Sequence, residues 1–341
     1  IYLNKRTEAV VSYFGAGYAG SVFVPINPSL KPAQVAHILR DCDVKILVTT
    51  AAQVTLLAED LEHCPALRAV VTLEPLDNAA GLSRRLEKQD WDGLTSADHT
   101  LEQPVRRIES DIAAILYTSG STGKPKGVVL TQRNMVAGAL SVGSYVGNTV
   151  DDTILAVLPF SFDAGFSQLS QGFSAGSTVV LMDYLLPRDV LKAAAKYGVT
   201  GLAGVPPLWN QLASFDWPGE VSDTMRFITN TGGAMPTATL NKLRQRLPET
   251  RVYLQYGLTE AFRATYLPPE ELDQRPTSMG KAIPNAEVLV VRDDGTPCDP
   301  GEPGELVQRG ALVSLGYWND RDRTAQRFKP TPGQCAELPI R

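Results

Sequence analysis

Histidine is scarce in this sequence. Only His37, His63 and His99 occur among 341 residues, all before the glycine-rich stretch described below, and no two stand at metal-ligand spacing. That argues against a zinc site. Cysteine is nearly as sparse: Cys42, Cys64, Cys298 and Cys335 form no C-x-x-C pair. Reduced structural thiols in a cytoplasmic protein are expected, not a disulfide framework. A basic excess is missing too. Lys and Arg number 32 against 37 Asp and Glu, a net charge of −5, which gives no electrostatic footprint for nucleic acid. No apolar run reaches the length of a membrane span, and no signal-peptide pattern is present. The chain opens at Ile1, already inside an apolar run, which predicts a fragment of a longer protein.

What is present is a globular composition, 43% hydrophobic and 20% charged, long enough for two or three subdomains. Up to residue 73, helical stretches at 7–18, 32–40 and 54–62 alternate with β-prone runs at 21–26, 44–49 and 69–73. Residues 74–105 read as an irregular polar connection. Further strands are expected at 154–158, 178–182, 200–203, 225–229 and 251–255, again with helices between them. Such alternation predicts an α/β fold of mostly parallel sheets flanked by helices. From about residue 276 the character changes. Short runs at 288–292 and 305–309, separated by "DDGTPCDPGEPG", predict antiparallel strands of a small barrel. The expected division is therefore 1–275 and 276–341.

The stretch "YTSGSTGKPKG", Tyr117 to Gly127, concentrates glycine, hydroxyl groups and two lysines. It suits phosphate but fits neither common glycine-loop rule. Gly120 has Pro125 where a Walker A loop needs its second glycine, and Thr122 stands in place of the middle glycine of G-x-G-x-x-G. The context differs as well. Residues 112–117 read as a strand, and Val128, Val129 and Leu130 read as a second strand, before Thr131 caps a helix at 132–145. A strand-loop-strand unit must hold phosphate with backbone amides, hydroxyls and lysines, without a helix N-terminus. A different match, "GFSAG" at Gly172 to Gly176, imitates a hydrolase nucleophile elbow. It has a helical stretch before it, a strand after it and no later histidine, so chance accounts for it.

Three more stretches follow predicted strands or lie near the end of the chain: "GGAMP" at Gly232 to Pro236, "YGLTE" at Tyr256 to Glu260, and "GELVQRGALVSLGYW" at Gly304 to Trp318. Ligands of α/β sheets bind at such strand ends. Gly232 and Gly233 leave room for a flat base or acyl group, Tyr256 suits stacking on adenine, and Thr259 can donate to phosphate. Glu260 is a hard oxygen ligand suited to Mg²⁺. Singly, each stretch also fits a tight turn or a helix cap. Together and in this order they leave little room for chance.

On these motifs the sequence resembles the adenylate-forming superfamily of acyl-CoA synthetases, amino-acid adenylation domains and luciferases. The likeness runs from "AGSVFVPINPSLKPAQVAHIL" to "GYWNDRDRTAQRF". "LPFSFDAG", "YLLPRDVL", "VPPLW" and "YGLTEAFRATYLPPEE" are most similar to AMP-forming acyl-CoA ligases associated with exosortase loci. The resemblance implies the large N-terminal domain of that fold: two mostly parallel α/β sheets plus a small distorted antiparallel β-barrel. It also implies a two-step reaction, from a carboxylic acid and ATP to an acyl-adenylate, then to a thioester with coenzyme A. Amino-acid adenylation with a carrier-protein thiol is the alternative it leaves open.

Carried to matching positions, Thr118, Ser119, Gly120, Ser121, Thr122, Gly123 and Lys126 would hold the β- and γ-phosphates, the loop acting as a lid. Gly232, Gly233, Ala234, Gln255, Tyr256, Gly257 and Leu258 would frame the nucleotide, Thr259 would touch the α-phosphate, and Glu260 would hold Mg²⁺. Phe162, Asp163, Val205 and Gly232 would surround the acyl substrate. Many acyl-CoA synthetases carry a histidine where Phe162 stands. A Phe-Asp pair is instead typical of amino-acid-activating members, whose aspartate binds the substrate ammonium. Asp163 reads equally as an N-cap for a helix at 164–173. The family's ribose-binding aspartate, hinge residue and catalytic lysine would lie beyond Phe328, where nothing matches them, so the 341 residues alone are expected to be inactive. Competing classes are a phosphotransferase, which would release ADP and need a base near its acceptor, and a non-catalytic nucleotide-binding module.

Overall fold

The computed structural model describes residues 1–76, 82–96, 101–118 and 125–330. Three parallel strands, β1 (Ile46–Thr49), β2 (Ala69–Thr72) and β3 (Glu87–Asp90), form the first sheet. An antiparallel hairpin follows, β4 (Ile112–Thr118) and β5 (Lys126–Thr131). The second large sheet contains β6 (Thr153–Ala156), β7 (Thr178–Leu181), β8 (Gly201–Gly204), β9 (Phe227–Asn230), β10 (Arg251–Tyr256), β11 (Thr265–Leu267) and β12 (Lys281–Ala282). Its spatial order is β12-β11-β10-β9-β8-β6-β7. Pairing is parallel from β10 through β7 and antiparallel at β11 and β12. The expected α/β class with mostly parallel sheets is what the chain forms.

The reasons lie in local sequence. The central strands of the second sheet are covered on both faces, so β8 and β9 are buried at every position, as parallel strands covered by helices must be. Trp209, Leu155, Leu202 and Ile228 are fully enclosed in the core beneath it, and each such side chain stabilises the fold by roughly 1.5–3 kcal/mol. Thr131 caps the helix Gln132–Val146 by accepting from the Asn134 amide, and Gly147 ends that helix at a left-handed φ of 74°. "GFSAG" falls on the last turns of the helix Asp163–Ala175, with Gly176 as its left-handed C-cap and β7 next. No elbow forms there.

One expectation needs correction and a second goes unconfirmed. Residues 74–105 are not wholly irregular: β3 pairs in parallel with β2, and the helix Trp91–Ser96 follows it. The sequence of β3 is Glu-Lys-Gln-Asp, an edge strand held by backbone pairing and by buried Leu82 and Leu86 before it, so it carries no alternation to read. The small barrel is not confirmed either. Among the described residues, β13 (Ala286–Val291) and β14 (Glu305–Gly310) form a two-stranded antiparallel ladder. After Gly310 the backbone leaves that ladder and bonds to β5 instead, through Leu315 N–H to Val129 O, Val129 N–H to Gly316 O and Trp318 N–H to Gly127 O. No helix is long and apolar enough to cross a membrane among the described residues.

Candidate active site

The glycine-rich stretch is carried by the β4–β5 hairpin, whose last described pair is Thr118 opposite Lys126. Ser119, Gly120, Ser121, Thr122 and Gly123 lie outside the described residues. The hairpin base is fixed from below. Tyr117 donates its hydroxyl to the Asp41 carboxylate at the end of the helix Pro32–Asp41, and Trp318 Nε1 donates to the Asp41 carbonyl at 2.7 Å. Burial pushes the Tyr117 phenol up, so it remains a donor. Gly127 is required here: an added Cβ would stand 2.7 Å from Ile115 Cγ2 and 3.2 Å from Trp318 Cβ.

Thr118 and Lys126 open onto a cavity of about 640 Å³. Across it lie Gly232, Gly233 and Ala234, then Gln255, Tyr256, Gly257, Leu258, Thr259 and Glu260, while Phe162 and Asp163 border the same space. The cavity stands at the carboxyl ends of β9 and β10, where parallel strands present ligand sites. Gly232 adopts φ 74°, and a Cβ on it would lie 3.2 Å from Val205 Cγ1. Val205 therefore backs the glycine turn and is not among the residues bordering the cavity. Asn230 Nδ2 ties the turn by donating to Gly233 O at 2.8 Å, and its Oδ1 is buried without a partner among the described residues. Asn230, Thr231 and residues 276–279 also border the cavity. Sequence reasoning missed them because nothing in their residue types marks them as ligands.

Glu260 accepts a hydrogen bond at Oε1 from the Tyr317 hydroxyl at 2.7 Å, and the Lys126 ammonium lies 4.8 Å from the centre of the same Tyr317 ring. One aromatic thus touches both charged groups of the cavity mouth. Burial, then the bond to Glu260, push the Tyr317 phenol up, so it stays a donor. No cluster of three or more metal-ligating side chains occurs among the described residues. A single carboxylate fits Mg²⁺ that arrives on phosphate oxygens and water, the usual mode for this ion.

Asp163 borders the cavity but does not cap its helix. It is the first residue of its helix, and Phe162 holds the cap position without a side-chain cap bond, so the N-cap reading is corrected. Its carboxylate is buried, accepting from Thr259 Oγ1 at 3.1 Å and from Arg263 Nη1 at 3.0 Å. Burial pushes Asp163 up, while the Arg263 guanidinium and the Thr259 hydroxyl pull it down. Arginine stays charged, and Arg263 is itself buried with side-chain exposure of 4%, so the carboxylate is its counter-charge. Gln255 is also engaged, donating to Tyr145 Oη at 2.6 Å.

A family model described as AMP-binding enzyme matches residues 1–318. Gramicidin S synthase 2 of Brevibacillus brevis is 28% identical over 341 residues, covering 97% of this chain and 7% of that protein. The long-chain-fatty-acid–CoA ligase of Escherichia coli O157:H7 is 28% identical over 346 residues, covering 94% of this chain and 61% of the ligase. The crystal structure of the anthranilate CoA ligase AuaEII in complex with anthranoyl-AMP superposes with a TM-score of 0.84 at 23% identity, over 96% of this chain and 62% of that one. At that identity the likeness is one of fold. This chain therefore spans a small part of gramicidin S synthase 2 and less than two thirds of either ligase.

Proposed function

This chain belongs to the AMP-binding enzyme family, and from that premise we propose that it activates a carboxylic acid with ATP and transfers the acyl group to the thiol of coenzyme A. The observation that carries the reading is the convergence of Thr118, Lys126, the turn Gly232 to Ala234 and the segment Tyr256 to Glu260 on one cavity.

In the first step a carboxylate oxygen donates a lone pair to the α-phosphorus of ATP. The bond from that phosphorus to the β-bridging oxygen breaks, and its electron pair leaves with pyrophosphate. In the second step the thiol sulfur attacks the acyl carbon, its proton passes to solvent, and AMP departs. No protein nucleophile is needed, since the carboxylate is already ionised. Attack of one anion on another needs its charge offset. Lys126 supplies a cation at the hairpin base, and Mg²⁺ on Glu260 would supply more. Tyr256 and the glycine turn frame the base. Thr259 has one O–H, now donated to Asp163, so contact with the α-phosphate requires that bond to be exchanged.

Loading of an amino acid onto a carrier-protein thiol is the second reading, favoured by the similarity to gramicidin S synthase 2. A phosphotransferase, which would need a base near its acceptor, is distinguished by its product, ADP. The test is acid-dependent exchange of labelled pyrophosphate into ATP by the protein that carries this chain. Acid-dependent ADP formation without exchange would contradict the proposal.

A further inference from the structure

We infer that Arg263 sets the charge class of the acid: by occupying the Asp163 carboxylate it closes the cavity to substrates bearing an ammonium group and leaves plain carboxylic acids as the class activated. This rests on the adenylation reading above and narrows it.

Asp163 is the acidic group placed where the cavity meets the helix Asp163–Ala175. A carboxylate offers about four lone-pair sites. Thr259 takes one on Oδ1 and Arg263 takes one on Oδ2. Burial, the largest influence, raises the Asp163 carboxyl, and the Arg263 guanidinium, the Thr259 hydroxyl and nearby backbone amides oppose it. An incoming ammonium would find the carboxylate already hydrogen-bonded. It would also meet the guanidinium 3.0 Å from Oδ2, in surroundings where like charges repel far more than in water. With Arg263 already supplying the neutralising charge, the desolvated ammonium would gain no net counter-charge.

The backbone is built to aim Arg263. Arg263 N–H donates to Ala261 O at 2.6 Å across Phe262, which stands at φ 52° and ψ −51°. That is a γ-turn with a left-handed centre, a strained geometry for a bulky side chain. It is over-determined by its surroundings. The Phe262 ring is fully buried against Gly138, where a Cβ would come within 2.4 Å of it. Gln308 Nε2 donates to the carbonyls of Ala261 at 3.4 Å and Arg263 at 2.8 Å. The turn reverses the chain between Glu260 at the cavity mouth and Arg263 behind Asp163. Arg263 acts here as a specificity-determining residue through Asp163.

The experiment compares acid-dependent pyrophosphate exchange for matched pairs: 3-phenylpropanoate with phenylalanine, and butanoate with 2-aminobutanoate. Wild type is expected to favour the amine-free member of a pair at least tenfold in kcat/KM. Preference for the amino acids overturns the inference while leaving adenylation intact, and exchange with no acid in either set sinks both. Arg263→Met, which frees Asp163, is expected to move the ratio at least tenfold toward the amino acids, mainly through KM. The double variant Asp163→Asn/Arg263→Met leaves no lone buried charge, and is expected to keep the wild-type preference. A uniform loss of rate with an unchanged ratio in folded Arg263→Met assigns the pair a structural role alone and overturns the inference. Should the single variant fail to fold by circular dichroism, the wild-type and double-variant ratios still decide it: amino-acid preference in either contradicts the inference.

Discussion

Tyr317 and Glu260 stand 57 positions apart in sequence, yet the tyrosine hydroxyl donates to Glu260 Oε1 at 2.7 Å. The same ring lies under the Lys126 ammonium. The "GYW" and "YGLTE" stretches, with the hairpin base, thus act on one point of the cavity mouth. Tyr317 fixes the carboxylate without using up both of its oxygens.

Tyr317→Phe keeps the ring and removes the donor. Partners that orient a ligating carboxylate typically affect metal affinity by tenfold or more. We expect the Mg²⁺ concentration for half-maximal ATP binding to rise roughly tenfold, with AMP binding in the absence of metal unchanged. Isothermal titration across a Mg²⁺ series reads both. Glu260→Gln should flatten the Mg²⁺ dependence altogether, and a variant that keeps it would remove Glu260 from the metal site.

Lys126→Ala should weaken ATP more than AMP, because the lysine stands at the base of the hairpin assigned to the β- and γ-phosphates. Charge-assisted contacts contribute about 1.5–3 kcal/mol, so the ATP loss should be on the order of tenfold or more. Equal loss for both nucleotides would contradict a role at the terminal phosphates.

Gly232→Ala forces an L side chain to φ 74° and sets its Cβ 3.2 Å from Val205 Cγ1. The left-handed conformation alone costs roughly 1–2 kcal/mol. Nucleotide affinity should fall along with stability, since the turn borders the cavity. A variant with wild-type urea midpoint and unchanged affinity would show that the turn tolerates the methyl group.

Asp152 gives a pH signature away from the site. Burial alone would push its carboxyl up, but the Arg226 guanidinium, the Thr200 hydroxyl and the Thr149 amide together hold it below its ordinary value. A carboxylate depressed in the folded state stabilises above its unfolded pKa, roughly 4. That stability is lost as pH falls through the lower folded value. Asp152→Asn should therefore cost about 2 kcal/mol at pH 7, with the gap to wild type closing as pH falls below about 4. Urea unfolding at several pH values measures it, and a gap independent of pH would contradict the assignment.

Much of this was legible in the sequence. The hairpin was, because β-branched runs flank a glycine cluster and Thr131 marks where the next helix starts. The strand ends carrying Gly232 and Tyr256 were readable from the β-prone runs at 225–229 and 251–255. Pairings across long separations were not. Asp163 and Arg263 lie 100 residues apart, and Trp318 reaches Asp41 across 277. Neither Asp163 nor Arg263 carries a local signal for the other. The γ-turn at Phe262 is equally silent in sequence, since only tertiary packing makes a phenylalanine adopt that backbone. β3 escaped notice because an edge strand needs no apolar alternation.

Adenylation as proposed has the acid's own oxygen attack the α-phosphorus. It is tested most directly by supplying the protein that carries this chain with ATP, Mg²⁺, coenzyme A and an acid labelled with ¹⁸O in its carboxylate, then weighing the products by mass spectrometry. One labelled oxygen is expected to leave the acid and be recovered in AMP. Label in inorganic phosphate, with ADP as the nucleotide product, would place the attack at the γ-phosphorus and contradict it.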